Sequence, residues 1–467
     1  MDPWQLGVGA LATQVRARTI HPSEVLESCL GRVAQLEPDV LAWVTVTAAL
    51  ARSRSEDLAE RLASGQQLGR LAGVPLGIKD NIFTAGVRTT ASSRVLADFV
   101  PECDAAVVAS VMDADGVLLG KTCTAEFAAS DPAPTRNPWN LAHTPGGSSS
   151  GSASAVAAGM VPAALGTQTG GSVIRPAAFT GIVGYKPSYG AVPTDGTIPL
   201  AWTFDHVGIL TRSVPDADLL FETLRYARPR PPAAEQPARP LHLGIYLPQS
   251  PSPDPEISSN FDRVVRRLSD GGVLLTEVRT PEGGYERLRE NYLTILRSEA
   301  ATYHRSQFAQ RSTDYRPLIT QIIEAGLGIA AVDYVQAVQD RHEIAGAWKQ
   351  MLSGVDAVIT PSTSTAAPLG LTDTGDASYQ IPWSYTGSPV ISLPYGCTHD
   401  GLPLGVQLVG QADGDSDLLR LAAQLEEIFD FTSHPSSWNQ RDTSGGSVKP
   451  VRPTSTTRGL IDRPKVT

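Results

Sequence analysis

Residues 144–187 constrain the fold of this chain more than any other segment. They read TPGGSSSGSASAVAAGMVPAALGTQTGGSVIRPAAFTGIVGYKP, where two glycine- and serine-rich turns, 146–152 and 167–172, bracket a helix of small residues and a short apolar strand. Each turn precedes a predicted helix, at 153–159 and 175–179, whose first backbone N–H groups can stabilise negative charge. A flexible linker is the alternative, but linkers do not alternate with an alanine-rich helix and an apolar strand.

The serine hydroxyls of these turns are candidate nucleophiles: Ser148, Ser149, Ser150, Ser152 and Ser172. Acyl transfer needs such a nucleophile beside backbone donors that stabilise an oxyanion. Residues 147–151 also fit the G-x-S-x-G motif of α/β-hydrolases, in which Ser149 would be the nucleophile. That motif follows a buried strand, whereas the preceding NPWNLAHTP, with its prolines and asparagines, disfavours a strand.

The composition is that of an ordinary globular protein, with 41% hydrophobic and 18% charged residues among 467. A net charge of −10 argues against nucleic-acid binding. No apolar run approaches the ~20 residues of a membrane span, and the N-terminal residues lack the layout of a signal peptide. We therefore expect a cytoplasmic protein without membrane contact.

Cysteine and histidine usage indicates neither disulfides nor a metal site. The four cysteines are widely spaced, without a C-x-x-C pair: Cys29, Cys103, Cys123 and Cys397. The eight histidines form no pair at metal-ligand spacing. We expect no metal and no cofactor.

A lysine closes a predicted buried strand in LAGVPLGIKD, residues 71–80. Lys79 at such a place is most often an ordinary strand terminus. Held among apolar neighbours, however, it would have a depressed pKa and could act as a base. Downstream, GKT at 120–122 imitates a phosphate-binding loop, but Asp115 stands where the first glycine is required, so we reject nucleotide binding.

Hydrophobic periodicity and turn residues place the remaining elements. Helices are predicted at 24–36, 48–68, 105–115, 215–226, 257–268, 285–310, 315–352 and 418–429. Strands are predicted at 116–119, 241–247, 357–360 and, as a hairpin, 389–394 with 403–409. Residues 194–207 read as a loop, 227–240 as a proline-rich linker, and 437–467 as a polar, disordered tail after a domain spanning 1–436.

The chain resembles the amidase signature family of serine hydrolases in four motifs: GVPLGIKDN, GGSSSGSASAVAAG, GTQTGGSVIRPAAFTGIVGYKP and DGLPLGVQLVG. These motifs follow the family's order, and the resemblance spans residues 23–430. It implies an α/β fold, a single α/β/α domain with a large, mixed, twisted central sheet flanked by helices.

The resemblance also implies the site residues, motif by motif. Ser172 would be the nucleophile, Ser148, after a cis peptide bond, the bridging serine, and Lys79 the base. A neutral Lys79 would take the Ser172 proton through Ser148. Four backbone N–H groups would form the oxyanion hole: those of Thr169, Gly170, Gly171 and Ser172.

The sequence departs from the family's common GTDxGGSIRxPA pattern at two linked positions. Gln168 replaces the aspartate, and Arg175 lies three residues after the nucleophile instead of two. One residue on a helix is a rotation of about 100°. This variant resembles the malonamidase branch, in which the arginine grips a substrate carboxylate, while a structural role for Arg175 remains an equal alternative.

The leading expectation is a hydrolase of small-molecule amides, with carbamates, anilides or esters as alternatives of the same acyl chemistry. The second hypothesis is the glutamine-amidase subunit of a tRNA-dependent amidotransferase, which the missing basic run and the Gln168 and Arg175 variant disfavour. A pseudo-enzyme is disfavoured because Lys79, Ser148 and Ser172 are all present. A homodimer remains open.

Overall fold

A single mixed sheet organises the chain in the computed structural model, which describes residues 2–226, 240–248 and 251–439. Eleven strands form within these residues: β1 Trp43–Val46, β2 Pro75–Lys79, β3 Val117–Thr122, β4 Ala163–Gln168, β5 Val183–Lys186, β6 His206–Thr211, β7 His242–Ile245, β8 Leu274–Glu277, β9 Ala357–Pro361, β10 Val390–Cys397 and β11 Pro403–Val409. Their order in the sheet is β1-β3-β2-β4-β6-β5-β10-β11-β9-β7-β8. The predicted mixed central sheet is thereby confirmed.

Helices flank this sheet. Within the described residues they are α1 Val8–Arg16, α2 Pro22–Val40, α3 Ala48–Ala63, α4 Ala106–Asp113, α5 Ser150–Ala157, α6 Ile174–Thr180, α7 Val214–Leu224, α8 Pro255–Asp270, α9 Gly284–Arg311, α10 Pro317–Leu327, α11 Ala331–Gln350, α12 Ile381–Thr386 and α13 Asp415–Phe429. No single helix of these residues is long and apolar enough to cross a membrane, although α10 and α11 together, bent by 100°, reach that length and composition.

Parallel strand pairing brings the end of β2 close to the two serine-rich turns. β2 lies parallel to both β3 and β4, with Ile78 opposite Leu165. The carboxyl ends of β2 and β4 therefore meet at one edge of the sheet. The serine turns follow there: α5 starts directly after the first turn and α6 directly after the second. Gly151 is required in α5, because a Cβ there would lie 2.2 Å from the Ala42 carbonyl oxygen.

The structure corrects two predictions. The segment predicted as a loop to residue 207 ends earlier, since β6 starts at His206 and lies in the sheet between β4 and β5. The predicted helix 315–352 is two helices, broken after Leu327 at Gly328. Both differences have a local reason: HVGILT is too short to show an alternating pattern, and a glycine pair around Leu327 weakens the helix.

Other predicted elements are confirmed with shifted ends. β10 and β11 form the predicted antiparallel hairpin. Of the predicted linker, residues 227–239 lie outside the described residues, as do 440–467 of the predicted tail. Trp438 of that tail packs edge-on against Trp4, with ring centroids 4.8 Å apart, and donates to the Ala157 carbonyl at 2.8 Å. The assignment of residues 1–436 to one domain stays a prediction.

Candidate active site

Lys79 closes β2 and is fully buried. Its Nζ lies 2.8 Å from Ser148 Oγ, 2.7 Å from Thr167 Oγ1 and 3.2 Å from the Thr167 carbonyl oxygen. Across the described residues, no carboxylate lies within 4 Å of this nitrogen. Burial holds the pKa of Lys79 well below its usual range, against a weaker opposing effect of Asp205.

An ammonium could donate to all three oxygens, and a neutral amine can make the same three contacts. A neutral amine has two N–H donors and one lone pair, so Thr167 can accept both N–H groups while the lone pair faces the Ser148 hydroxyl. Asn81 Nδ2 donates to the same Thr167 Oγ1 at 3.1 Å, which fixes that hydroxyl from the other side. Asp80, the next residue, points to Lys121 at 3.9 Å and accepts from Thr90. Lys79 and Asp80, although adjacent in the sequence, therefore have different partners: Lys79 contacts Ser148 and Thr167, and Asp80 contacts Lys121 and Thr90.

Ser148 follows a cis peptide bond from Gly147, as the family resemblance implied. Its side chain is fully buried beneath the second serine turn. The two turns are tied to each other by the Ser149 amide, which donates to the Ser172 carbonyl oxygen at 3.2 Å. The structure therefore brings Lys79, Ser148 and the Ser172 turn into one cluster.

The hydroxyl groups of the other candidate serines are engaged in backbone hydrogen bonds. Ser149 Oγ donates to the Thr167 carbonyl at 3.2 Å, and Ser150 Oγ donates to that of Gly146 at 2.7 Å. Ser152 Oγ donates to the Leu165 carbonyl at 3.0 Å. Ser172, in contrast, lines a cavity, and its hydroxyl has no hydrogen-bond partner within the described part of the chain. This arrangement favours Ser172 over Ser149 as the nucleophile.

The second turn leaves a row of backbone donors open. Within residues 2–226, 240–248 and 251–439, the N–H groups at positions 169–172 have no hydrogen-bond acceptor, and these four residues line the same cavity as the Ser172 hydroxyl. The next two N–H groups, of Val173 and Ile174, are both taken by Gln168 Oε1, at 2.8 and 3.0 Å. Along this turn, the open backbone donors that an oxyanion in the cavity would meet are therefore those of the predicted segment.

Ser384 and Gln168 hold this turn from behind. Gln168 Nε2 donates to Ser384 Oγ at 3.1 Å, and Ser384 Oγ donates to the Gly170 carbonyl at 2.6 Å. The Gly171 carbonyl accepts from the Arg175 amide at 2.9 Å. In a trans peptide the C=O and the following N–H point in opposite directions. Fixing these two carbonyls therefore directs the N–H groups of Gly171 and Ser172 away from their supports.

Arg175 is buried beside the first turn. Its Nη2 donates to the Gly147 carbonyl at 2.6 Å and to Thr374 Oγ1 at 3.2 Å, while Nη1 donates to the Gly375 carbonyl at 2.8 Å. Burial lowers the pKa of Arg175 to about 10, so the guanidinium is still charged near neutral pH. The guanidinium thus supports the peptide before Ser148, and one N–H of Nη1 remains for a ligand in the cavity that Arg175 lines.

The cavity in front of the turn has a volume of about 750 Å³. α9 forms one wall and α10 another, and residues 372–377 close the end beside Arg175. Tyr292 of α9 faces the turn, because a Cβ added to Gly170 would lie 3.0 Å from the Tyr292 hydroxyl oxygen. The space suits a small organic substrate.

Sequence reasoning missed three supporting residues: Thr167, Asn81 and Ser384. Thr167 and Asn81 could have been found, because Thr167 begins the predicted second turn and Asn81 lies two residues after the predicted lysine. Ser384 carries no local signal. Lys121 of the rejected GKT motif is buried and donates to the Ile82 carbonyl and to Thr89 Oγ1, which is a structural role. No group of three or more metal-binding side chains occurs among the described residues.

A sequence profile described as Amidase matches residues 24–419. Among curated relatives, a subunit of the glutamyl-tRNA(Gln) amidotransferase of Synechococcus sp. (strain CC9605) is 35% identical, over 93% of this chain and 99% of that protein. The corresponding protein of Halothermothrix orenii is 33% identical, over 92% of this chain and 98% of that protein.

Solved structures of enzymes share the fold. A structure of 6-aminohexanoate cyclic dimer hydrolase complexed with substrate has a TM-score of 0.84 at 26% identity, covering 94% of this chain and 100% of that chain. The native peptide amidase from Stenotrophomonas maltophilia has a TM-score of 0.78 at 26% identity, covering 92% and 98%.

Proposed function

Since the chain belongs to the amidase signature family, we propose that it hydrolyses the C–N bond of small linear amides through an acyl-enzyme on Ser172. One observation carries the proposal: a fully buried Lys79 Nζ, without a nearby carboxylate, lies 2.8 Å from Ser148 Oγ beneath the turn that presents Ser172. Burial without a nearby carboxylate lowers the pKa of such a lysine and favours its neutral, basic form.

The proposed reaction moves one proton through the cluster. Ser172 Oγ attacks the amide carbonyl carbon while its proton passes to Ser148 Oγ and the Ser148 proton passes to Lys79 Nζ. The backbone N–H groups of residues 169–172 stabilise the oxyanion. The proton then returns through Ser148 to the leaving nitrogen, the C–N bond breaks, and water releases the acyl group by the same relay.

A narrower form of the proposal places the chain near the malonamidase branch. Arg175 would then bind a carboxylate close to the scissile amide. Its position on the cavity wall and the free N–H of Nη1 support this role. Its three contacts with Gly147, Thr374 and Gly375 support the structural alternative, in which carbamates, anilides or esters become candidate substrates.

A second candidate function is that of a glutamine-amidase component in a tRNA-dependent amidotransferase. The observation that favours it is the 35% identity to one protein of such an amidotransferase over nearly the full length of both chains. Under this alternative the protein would have partner proteins and act beside tRNA, whereas the leading proposal needs no nucleic acid, no membrane and no cofactor. The cytoplasmic location and a homodimer stay predictions.

The deciding experiment uses the purified chain alone. It would be assayed for ammonia or amine release from a panel of small amides, carbamates, anilides and esters, and from glutamine. Turnover of small amides without a partner, lost in Ser172→Ala, is the expected result. Glutamine hydrolysis that appears only after a partner is added would favour the second candidate. Turnover confined to carbamates or esters would change the assigned substrate class from amides to carbamates or esters.

A further inference from the structure

One face of α9 runs the length of the cavity. Its lining residues recur at helical spacing: Tyr285, Arg289, Tyr292, Leu293, Leu296 and Arg297. Tyr292 marks the reaction centre, because its hydroxyl faces Gly170 of the oxyanion turn. Arg297 comes five residues later, about 7.5 Å along the helix axis at 1.5 Å per residue. The cavity therefore extends from the reacting carbonyl toward Arg297.

The two ends of the cavity differ in charge. Asp373 and Asp376 lie at the Arg175 end, where both act electrostatically on Arg175, and Asp376 also acts on Tyr285. These are the acidic residues among those that line the cavity. Arg175 at that end therefore has two carboxylates near it.

No acidic side chain lines the cavity at the Arg297 end, among the described residues. It is bordered by residues 128–130 and by α10, which packs so closely that a Cβ on Gly326 would lie 2.0 Å from the Arg297 carbonyl oxygen. Two acids beside residues 128–130 are already engaged at the start of α10: Asp131 accepts the Leu318 and Ile319 amides, and Glu126 accepts the Arg316 amide at 2.8 Å.

The Arg297 side chain itself is half-buried and lines the cavity. In the described parts of the chain it has neither a hydrogen bond nor an ion pair. Arg287, on the outer face of the same helix, is paired instead with Glu343 at 3.0 Å. A guanidinium that is partly removed from water and has no acceptor is a site for an anionic ligand group.

We propose that Arg297 forms an anion subsite of the cavity and binds a carboxylate that an amide substrate carries at the far end of a flexible apolar chain. Leu296, Leu318 and Ile322 line the intervening wall and suit methylene groups. We take the axial rise of about 7.5 Å between Tyr292 and Arg297 as the scale of the span, which corresponds to about six bonds of an extended chain. The preferred class is the monoamides of linear dicarboxylic acids with about four methylenes, such as adipamate. That the substrate is an amide cleaved at Ser172 rests on the proposed function.

Binding can be tested without turnover in a Ser172→Ala background. Adipamate and neutral hexanamide would be titrated by calorimetry into Ser172→Ala alone and combined with Arg297→Gln or Arg287→Gln. Arg287→Gln removes the same charge from the same helix outside the cavity, so it is the matched control. We expect Arg297→Gln to weaken adipamate binding about 10- to 100-fold, with Arg297→Lys recovering part of the loss, and Arg287→Gln to leave it unchanged.

Turnover gives the second readout. For malonamate, glutaramate, adipamate and pimelamate, each against its neutral amide, Arg297→Gln should reduce the acid-over-neutral ratio of kcat/KM most for the longer members, mainly through KM. Equal losses for adipamate and hexanamide, or adipamate binding that ignores Arg297→Gln, would overturn the subsite. Arg297-dependent adipamate binding without hydrolysis of any amide would uphold the subsite and refute the proposed function.

Discussion

Lys79 Nζ lies 2.8 Å from Ser148 Oγ, and Thr167 supplies both remaining acceptors of that nitrogen at 2.7 and 3.2 Å. Thr167 lies near the end of β4, the parallel neighbour of the strand that Lys79 ends, so the sheet itself sets this geometry. A neutral lysine can make all three contacts, and complete burial favours that form over the ammonium. The following predictions test this relationship and the turn above it.

Replacing Lys79 by alanine should reduce amide hydrolysis far more than ester hydrolysis. An amine leaving group must be protonated, whereas an alkoxide needs a proton less. We expect a loss of about 10² to 10⁴-fold in kcat on an amide and a clearly smaller loss on the ester with the same acyl group. The measurement is kcat for both substrates in both proteins, and equal losses would contradict the proton-donor role.

Ser172 should be the residue that a fluorophosphonate labels. Its hydroxyl is open to the cavity, while that of Ser149 is bonded to the Thr167 backbone. Peptide mass spectrometry should find the label on Ser172, and Ser172→Ala should abolish labelling. Ser149→Ala should lower the melting temperature yet still be labelled. Label on Ser149 would refute the assignment.

Activity should rise with pH through an apparent pKa well below 10.5. Burial depresses the pKa of Lys79 in the folded protein, and only the neutral amine can accept a proton. Between its folded pKa and 10.5 the unfolded chain binds more protons, so this group makes the free energy of unfolding increase with pH. Lys79→Met should remove that part of the pH dependence, as denaturant titrations at several pH values would measure. An unchanged ascending limb of kcat/KM in Lys79→Met would exclude Lys79 as its source.

Removing the Ser384 hydroxyl should lower kcat with little change in KM. The Gly170 carbonyl loses its donor at 2.6 Å, so the Gly171 N–H is less well fixed toward the cavity. One hydrogen bond of this kind is worth about 0.5 to 1.5 kcal/mol, or about 2- to 13-fold in rate. Ser384→Ala would be compared with Ser392→Ala, a buried serine that does not line the cavity and whose hydroxyl lies 2.8 Å from Ser362 Oγ. A change confined to KM would contradict the positioning role.

Arg175 should prove necessary for stability, whether or not it binds substrate. Arg175→Ala leaves the Gly147 and Gly375 carbonyls without their buried donor, which costs about 1 to 3 kcal/mol for each unsatisfied group. Denaturant unfolding would measure this loss. Turnover of malonamate against a neutral amide in Arg175→Lys separates the two roles, because a lysine keeps the charge but not the forked geometry. Equal losses on both substrates would leave Arg175 purely structural.

Local patterns in the sequence were sufficient for the parts of the site that lie on contiguous elements. Three features can be recognised from a few neighbouring residues, because strand, turn and helix preferences act over that range. They are the apolar run ending at Lys79, the two serine turns and the β10–β11 hairpin. Family motifs then assigned roles to Lys79, Ser148 and Ser172. The mixed central sheet followed from the same resemblance.

The tertiary structure alone decided how these parts are supported. Ser384 lies 216 positions from Gln168, and Gly375 lies 200 from Arg175, so no local pattern could indicate these contacts. β6 finds its place only because β4 and β5 flank it. Likewise, the pairing of Arg287 and the isolation of Arg297 depend on what packs against each face of α9. Buried hydrogen-bonding groups and charges find their partners among residues that are distant in the sequence. Local sequence patterns do not identify those partners, so only the folded structure shows them.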